Sequence, residues 1–320
     1  MVQLFKNIKV DWLGKRKLFL AVSGALILIG AISLIGHGAF RYGVDFKGGT
    51  LVYVKFNEPV TVDTVRQTLR DNGALNSQIQ ELRGAGLENN FLIEFEGEAD
   101  ATDASLGREV INNALEKGFS GKYELLKAES VGPKVGADLR RQAIFATLYA
   151  LGGILIYIAF RFEWIYGAAA VFAVFHDALV TLGFFSLFDR EINLTVIAAL
   201  LTLVGYSVND TIVIFDRVRE NLKVRRRDDM EAVLNEAINQ TFGRTILTAI
   251  STFVAVLALF VFGGEIINNF AFTLVIGVIV GAYSTVAIAS PLVLIYSRWR
   301  SQAAVQPLAS TKVARSVKAK

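Results

Sequence analysis

An aspartate, Asp210, stands inside the apolar run 195–215, and an arginine, Arg244, opens the next apolar run. At the centre of a bilayer each costs about 2.5–3.5 kcal/mol on insertion scales, so such groups face a bundle interior and mark ion pathways or proton relays. Opposite charges on consecutive spans suggest a pair. Asp210 is then the proton-carrying group and Arg244 holds its ionised state, a role lysine fills only in part because it lacks the planar fork of donors. Counting back from Asp210 by three, four and eight residues gives Ser207, Tyr206 and Thr202, with Asn209 to the side. Counting forward from Arg244 by four, seven and eight gives Thr248, Ser251 and Thr252. Two such polar stripes, facing each other, would hold water or relay protons. The plainer alternative is that the hydroxyls bond back to their own helices or glue helices together.

His176 and Asp177 sit near the middle of the preceding apolar run. Neighbours on a helix point about 100° apart, which argues for separate partners rather than a dyad, so both are assigned secondary roles beside the Asp210–Arg244 pair. With two histidines and no cysteine in the chain, and without a Walker-type loop, neither a metal, a cofactor nor an enzymatic activity is expected. Gly48-Gly49 lacks phosphate-loop spacing and precedes a strand pattern, so it reads as a tight turn.

These side chains need membrane helices to position them. The chain is 53% hydrophobic with a mean hydropathy of +0.46, which places it in the membrane class. Six runs, 18–36, 143–160, 165–188, 192–215, 245–262 and 267–297, are long enough to cross about 30 Å of hydrocarbon at about 1.5 Å per residue. The first is too long for the apolar core of a signal peptide and lacks a small-residue cleavage site. Lys6, Lys9, Lys15, Arg16 and Lys17 precede the first span, and Arg217, Arg219, Lys223, Arg225, Arg226 and Arg227 follow the fourth. Positive residues mark cytoplasmic ends, so both termini, 1–17 and the basic tail 298–320, are expected in the cytoplasm. The net charge of +4 then reflects orientation, and nucleic acid is not an expected partner.

The polar segment 38–139 is long enough to bury a core of its own and is expected outside the cytoplasm. Its runs 50–56, 77–83, 91–96 and 123–131 alternate or are β-rich, while 62–71 and 106–117 have helical spacing. The order is β-α-β-β-α-β, compatible with a ferredoxin-like sandwich. The fold class is thus a polytopic α-helical membrane protein with six transmembrane helices and one extracytoplasmic α+β domain. Within 140–297, Met230, Val233, Leu234, Ala237 and Ile238 recur at helical spacing and predict an amphipathic helix near 228–240, lying along the membrane surface or packed on the ends of spans four and five. Gly277 and Gly281 allow close approach of a neighbouring helix, including one from a second protein. Gly36, Gly38, Gly132, Pro133 and Gly136 flank the outer domain and are candidate hinges, through which spans one and two would pass a charge change at Asp210 to that domain as a rigid tilt.

Several stretches together resemble one family: residues 43–50 (GVDFKGGT), 131–133 (VGP) with Val135-Gly136, 160–164 (FRFEW), His176-Asp177, 205–213 (GYSVNDTIV) running into 216–221 (DRVREN), and 244–248 (RTILT). Over roughly residues 10 to 300 the chain is similar to the SecF family of the bacterial Sec protein-translocation machinery. The resemblance implies an RND-type half-transporter in the cytoplasmic membrane, with SecD supplying the other half about a pseudo-two-fold axis. It also implies coupling of proton flow to late protein translocation, with the Sec translocon channel, YajC and the translocating unfolded polypeptide as further partners. A small-molecule efflux half-transporter and a passive membrane scaffold are the alternatives.

Overall fold

The computed structural model describes residues 9–75, 77–82, 88–95, 105–225 and 228–300. Lys6, Arg226, Arg227 and the basic tail beyond residue 300 lie outside the described residues.

Between the first two long helices the chain folds into β1 (Gly49–Phe56), α3 (Val62–Asp71), β2 (Ser77–Leu82), β3 (Asn90–Phe95), α4 (Ser105–Phe119) and β4 (Tyr123–Val131), preceded by a single helical turn, α2 (Val44–Lys47). The strands lie in the order β2-β3-β1-β4 with every neighbour antiparallel, Val52 of the central strand pairing with Ile93 and Ala128. Alternation sets the faces. Val52, Val54 and Phe56 are buried against Val65 and Leu69 of α3 and Ile111 and Leu115 of α4, leaving Leu51 and Tyr53 on the helix-free face. Thr61 starts α3 by accepting from the Thr64 amide, the N-cap role its hydroxyl suits. This is the expected βαββαβ sandwich. Gly48 and Gly49 take φ of +84° and +150°, and a Cβ on Gly48 would come within 2.8 Å of Pro133, so the turn needs glycine there.

Among the described residues six helices are long and apolar enough to cross a membrane: α1 (Arg16–His37), α5 (Pro133–Arg161), α6 (Trp164–Leu187), α7 (Leu194–Val224), α8 (Met230–Phe262) and a sixth span, Asn268–Arg300. The sixth is α9 (Asn268–Ser284) followed by a π-helical turn, Thr285–Ala289, before the helix resumes. Burial divides them: the apolar windows of α6, α7 and the sixth span are 50%, 44% and 67% buried, those of α1, α5 and α8 only 11%. The first group is the bundle centre, and the second turns its apolar faces to lipid or to another protein.

Small residues set the closest crossings. A Cβ on Gly30 of α1 would lie 2.7 Å from Cα of Gly183 on α6. On Gly277 it would lie 2.5 Å from the Leu203 side chain of α7, and on Gly281 3.3 Å from Ser207. Gly277 and Gly281 therefore serve α7 of the same chain, not a second protein. The amphipathic stretch near 228–240 is also not a separate surface helix, since α8 runs unbroken from Met230 to Phe262. Val233, Leu234, Ala237 and Ile238 are buried with Phe215 and Val218 of α7 and with Leu13. Burying that stripe on its neighbours leaves no apolar face to lie on a bilayer. α5 begins ten residues before the expected 143, because Pro133 fits the first helical position, where its missing N–H costs nothing.

Candidate functional site

At the bundle centre, His176 and Asp177 of α6 are both buried. Asp177 Oδ2 accepts from Ser207 Oγ of α7 at 2.6 Å and from Ser284 Oγ of α9 at 2.8 Å. Its Oδ1 lies 3.0 Å from Nδ1 of His176. The two neighbours therefore do meet, against expectation: helical geometry separates their Cβ directions, but their side-chain tips can still converge. Beside them Thr211 and Thr285 hydroxyls are 3.2 Å apart, and Ser290 donates to the Thr285 carbonyl at 3.0 Å inside the π-helical turn. Every oxygen of Asp177 is engaged, and the residue fastens α6, α7 and the sixth span together.

Asp210 is in the opposite condition. It is 2% exposed, and its Oδ2 has no hydrogen-bond partner among the described residues. Arg244 is close enough to act on it electrostatically, yet no ion pair within 4 Å joins them among the described residues, and Arg244 is exposed on the outside of α8. Tyr206 Oη and Thr245 Oγ1 are likewise buried and unpaired among the described residues. Thr245 was not singled out in the sequence because it falls one residue off the Arg244 stripe. Buried polar groups are nearly always paired, yet His176 Nε2 of α6 is, like these α7 and α8 atoms, buried without a partner among the described residues.

The remaining stripe residues divide. Thr202 donates to Ala198 O at 2.9 Å, Thr248 to Arg244 O at 3.1 Å and Thr245 O at 2.9 Å, and Ser251 to Thr248 O at 3.0 Å. These hydroxyls follow the plainer alternative of bonding to their own helices. Ser207 spends its hydroxyl on Asp177, not Asp210. Asn209, Thr202 and Gly205 are exposed on α7, and Arg244 and Ser251 are exposed on α8. A polar strip on an otherwise apolar surface needs protein or water to cover it within hydrocarbon.

A second cluster lies at the N-terminal end of α7. Asn193 caps the helix by accepting from the Val196 amide at 3.0 Å, while Asp45 of α2 accepts from the Leu194 amide at 2.9 Å. Gly43 N donates to Ile192 O at 3.0 Å and Ile192 N to Arg41 O at 2.7 Å. Arg41 reaches Asp189 Oδ2 and Glu191 Oε1, both at 2.8 Å, and Gln78 of β2. Partial burial opposes its charge, but the bond to Asp189 and the charges of Glu191 and Asp189 outweigh this and raise its pKa above the ordinary arginine value. Of the hinge candidates, Gly38 does end α1 with a φ of +80°, and Gly132 with Pro133 starts α5. Gly36 lies within α1 and Gly136 within α5, where a Cβ would sit 3.0 Å from the Gly48 amide and 3.2 Å from Phe46 O. Those two glycines are in regular helix, and Gly136 is there for close packing.

A third feature was missed entirely. Asn235 Oδ1 on α8 accepts from the Trp12 and Leu13 amides at 2.9 and 3.1 Å, and Asn239 Oδ1 accepts from Trp12 Nε1 at 2.9 Å. The i, i+4 spacing of the two asparagines was its only signal.

Six spans around a buried polar knot, with a buried acid that is unpaired among the described residues and a βαββαβ domain bonded to the N-terminal end of the same helix, define a polytopic membrane protein with one α+β domain. The family model for the protein export membrane protein SecD/SecF, C-terminal, matches residues 110–299, and that for the SecD/SecF GG motif matches residues 34–60. Protein translocase subunit SecF of Calditerrivibrio nitroreducens is 42% identical over 94% of this chain and 99% of its own length. That of Koribacter versatilis is 37% identical over 93% and 94%. The crystal structure of SecDF, a translocon-associated membrane protein from Thermus, superposes with a TM-score of 0.78 at 34% identity, covering 91% of this chain and 39% of that longer one. The chain belongs to the SecF family.

Proposed function

We propose that this chain works as half of a proton-driven export complex in the bacterial cytoplasmic membrane, with SecD as the other half, Asp210 as the proton carrier and Arg244 as the cation that meets its ionised form. The carrying observation is the Asp210 carboxylate, buried and with Oδ2 unpaired among the described residues, on a helix that also exposes Thr202 and Asn209. The SecDF relative supports the reading, since more than half of that chain lies beyond the part matched here, enough for a second bundle. SecD covering the strip would exclude lipid and complete a route for protons. Both termini then face the cytoplasm, the sheet domain stands outside, and the Sec translocon, YajC and the unfolded polypeptide are further partners. No catalytic residue and no cofactor take part; the energy comes from the proton gradient, about 2.3 kcal/mol per charge per 100 mV.

The test is export from energised membrane vesicles with variants matched for membrane level and SecD association. Asp210→Asn, a near-isosteric neutral amide, is expected to abolish the proton-dependent component, Arg244→Ala to do the same, and Arg244→Lys to retain part of it. Full proton-dependent export in Asp210→Asn would leave only the scaffold role.

A further inference from the structure

The hinge glycines pointed to spans one and two as the mechanical path to the outer domain, but the bonds at the domain's base lead to span four. The first amides of a helix lack intrahelical partners, and in α7 one of them, Leu194 N–H, is met by Asp45, which belongs to the base of the outer domain. A carboxylate is also favoured there by the helix dipole. Around this bond the Arg41–Gly43 segment exchanges two backbone hydrogen bonds with Ile192, and the Phe46 ring, 5% exposed, is packed among Phe185, Ile192 and Val196. From Asp45 the chain passes through α2 and the Gly48-Gly49 turn directly into β1, the strand bonded to both β3 and β4. Near the middle of the same unbroken helix stands Asp210, about 24 Å along the axis from Leu194 at about 1.5 Å per residue.

We infer that α7 is the lever that carries the outer domain, and that Asp45 is the positioning residue that pins the domain to it. The inference rests on the proton-coupled reading above and adds the route by which movement at Asp210 reaches the sheet. The domain has room to tilt with the lever: a cleft of about 460 Å³ separates the helix-free face of the sheet, at Leu51, Tyr53 and Leu92, from the outer helix ends at Asp189, Asn193 and Asn268. Arg41 borders that cleft, held by Asp189 and Glu191 on the α6–α7 connection and by Gln78 on the sheet, so the domain is tied to the outer end of α7 by more than one bond.

The chain has no cysteine, so an introduced pair forms a unique disulfide. A Cβ on Gly43 would lie 3.4 Å from Cβ of Asn193, close to disulfide geometry. The experiment uses the full chain with SecD in membrane vesicles, reading export and Asp210-dependent proton flux together. Asp45→Ala is expected to lower export roughly fivefold, the population shift that losing an ordinary helix N-cap implies, while proton flux persists. Asp45→Asn, which keeps an acceptor for Leu194 N–H, is expected to restore export. The oxidised Gly43→Cys/Asn193→Cys pair is expected to export as its reduced form does and to rescue Asp45→Ala, because it joins parts that move together. Loss of export on oxidation, reversed by reductant, would show that the base must part from α7 and would overturn the lever; so would unchanged export, or equal loss of flux and export, in Asp45→Ala. Should Asp45→Ala fail to accumulate, the disulfide in the otherwise unaltered chain decides alone. Full export in Asp210→Asn would instead strike the proton-coupled reading, independently of the disulfide result.

Discussion

Asp177 and Asp210 are both buried acids on central helices, and the structure gives them different surroundings, whose consequences three substitutions can measure. Asp177→Ala removes the acceptor for Ser207 and Ser284, at 2.6 and 2.8 Å, and the neighbour of His176 Nδ1. Side-chain hydrogen bonds between membrane helices average about 0.6 kcal/mol and reach about 1.7, so losing two costs about 1–3.5 kcal/mol, with a small cavity in addition. Asp177→Asn keeps a carbonyl oxygen with two lone pairs for the same two serines, and its cost is expected to stay below about 1 kcal/mol. Asp210→Asn removes no hydrogen bond from Oδ2 at all and is expected to leave stability nearly unchanged. Reversible unfolding of the detergent-solubilised chain ranks the three for stability, and vesicle export ranks them for activity. The expected pattern crosses over: Asp177→Ala least stable, Asp177→Asn stable and active, Asp210→Asn stable and inactive. Equal export defects in Asp177→Asn and Asp210→Asn, at matched membrane level, would refute the division and give Asp177 a charge-carrying role.

Two other sites give sharp expectations. Gly277→Leu drives a branched side chain into Leu203, whose atoms lie 2.5 Å from the position of an added Cβ, and is expected to destabilise the bundle by about 1–3 kcal/mol, seen as a lower unfolding midpoint. Asn235→Ala frees the Trp12 and Leu13 amides, and is expected to expose the N-terminal segment to protease and shift Trp12 fluorescence to the red while export changes less than twofold, within about 0.4 kcal/mol.

The membrane class, the six spans and the β-α-β-β-α-β order were all readable from the chain, because length, hydropathy and the periods of 2 and 3.6 residues are properties of one segment at a time. The position of Asp210 in an apolar run was readable for the same reason. Contacts between segments were not. Ser207 lies on the stripe of Asp210, yet its hydroxyl goes to Asp177, because that depends on how α6 and α7 are rotated about their axes. Gly277 and Gly281 announced a close crossing, but the partner, α7, follows from the bundle's arrangement. The stretch near 228–240 had the right period for a helix, and only the neighbours that bury it, Phe215, Val218 and Leu13, made it the first turns of α8. Asp45 and Leu194, 149 residues apart, carry no mark of each other in the sequence. Periodicity tells which face of an element is apolar; the meeting of two elements depends on crossing angle and axial rotation, which arise only when the whole chain packs.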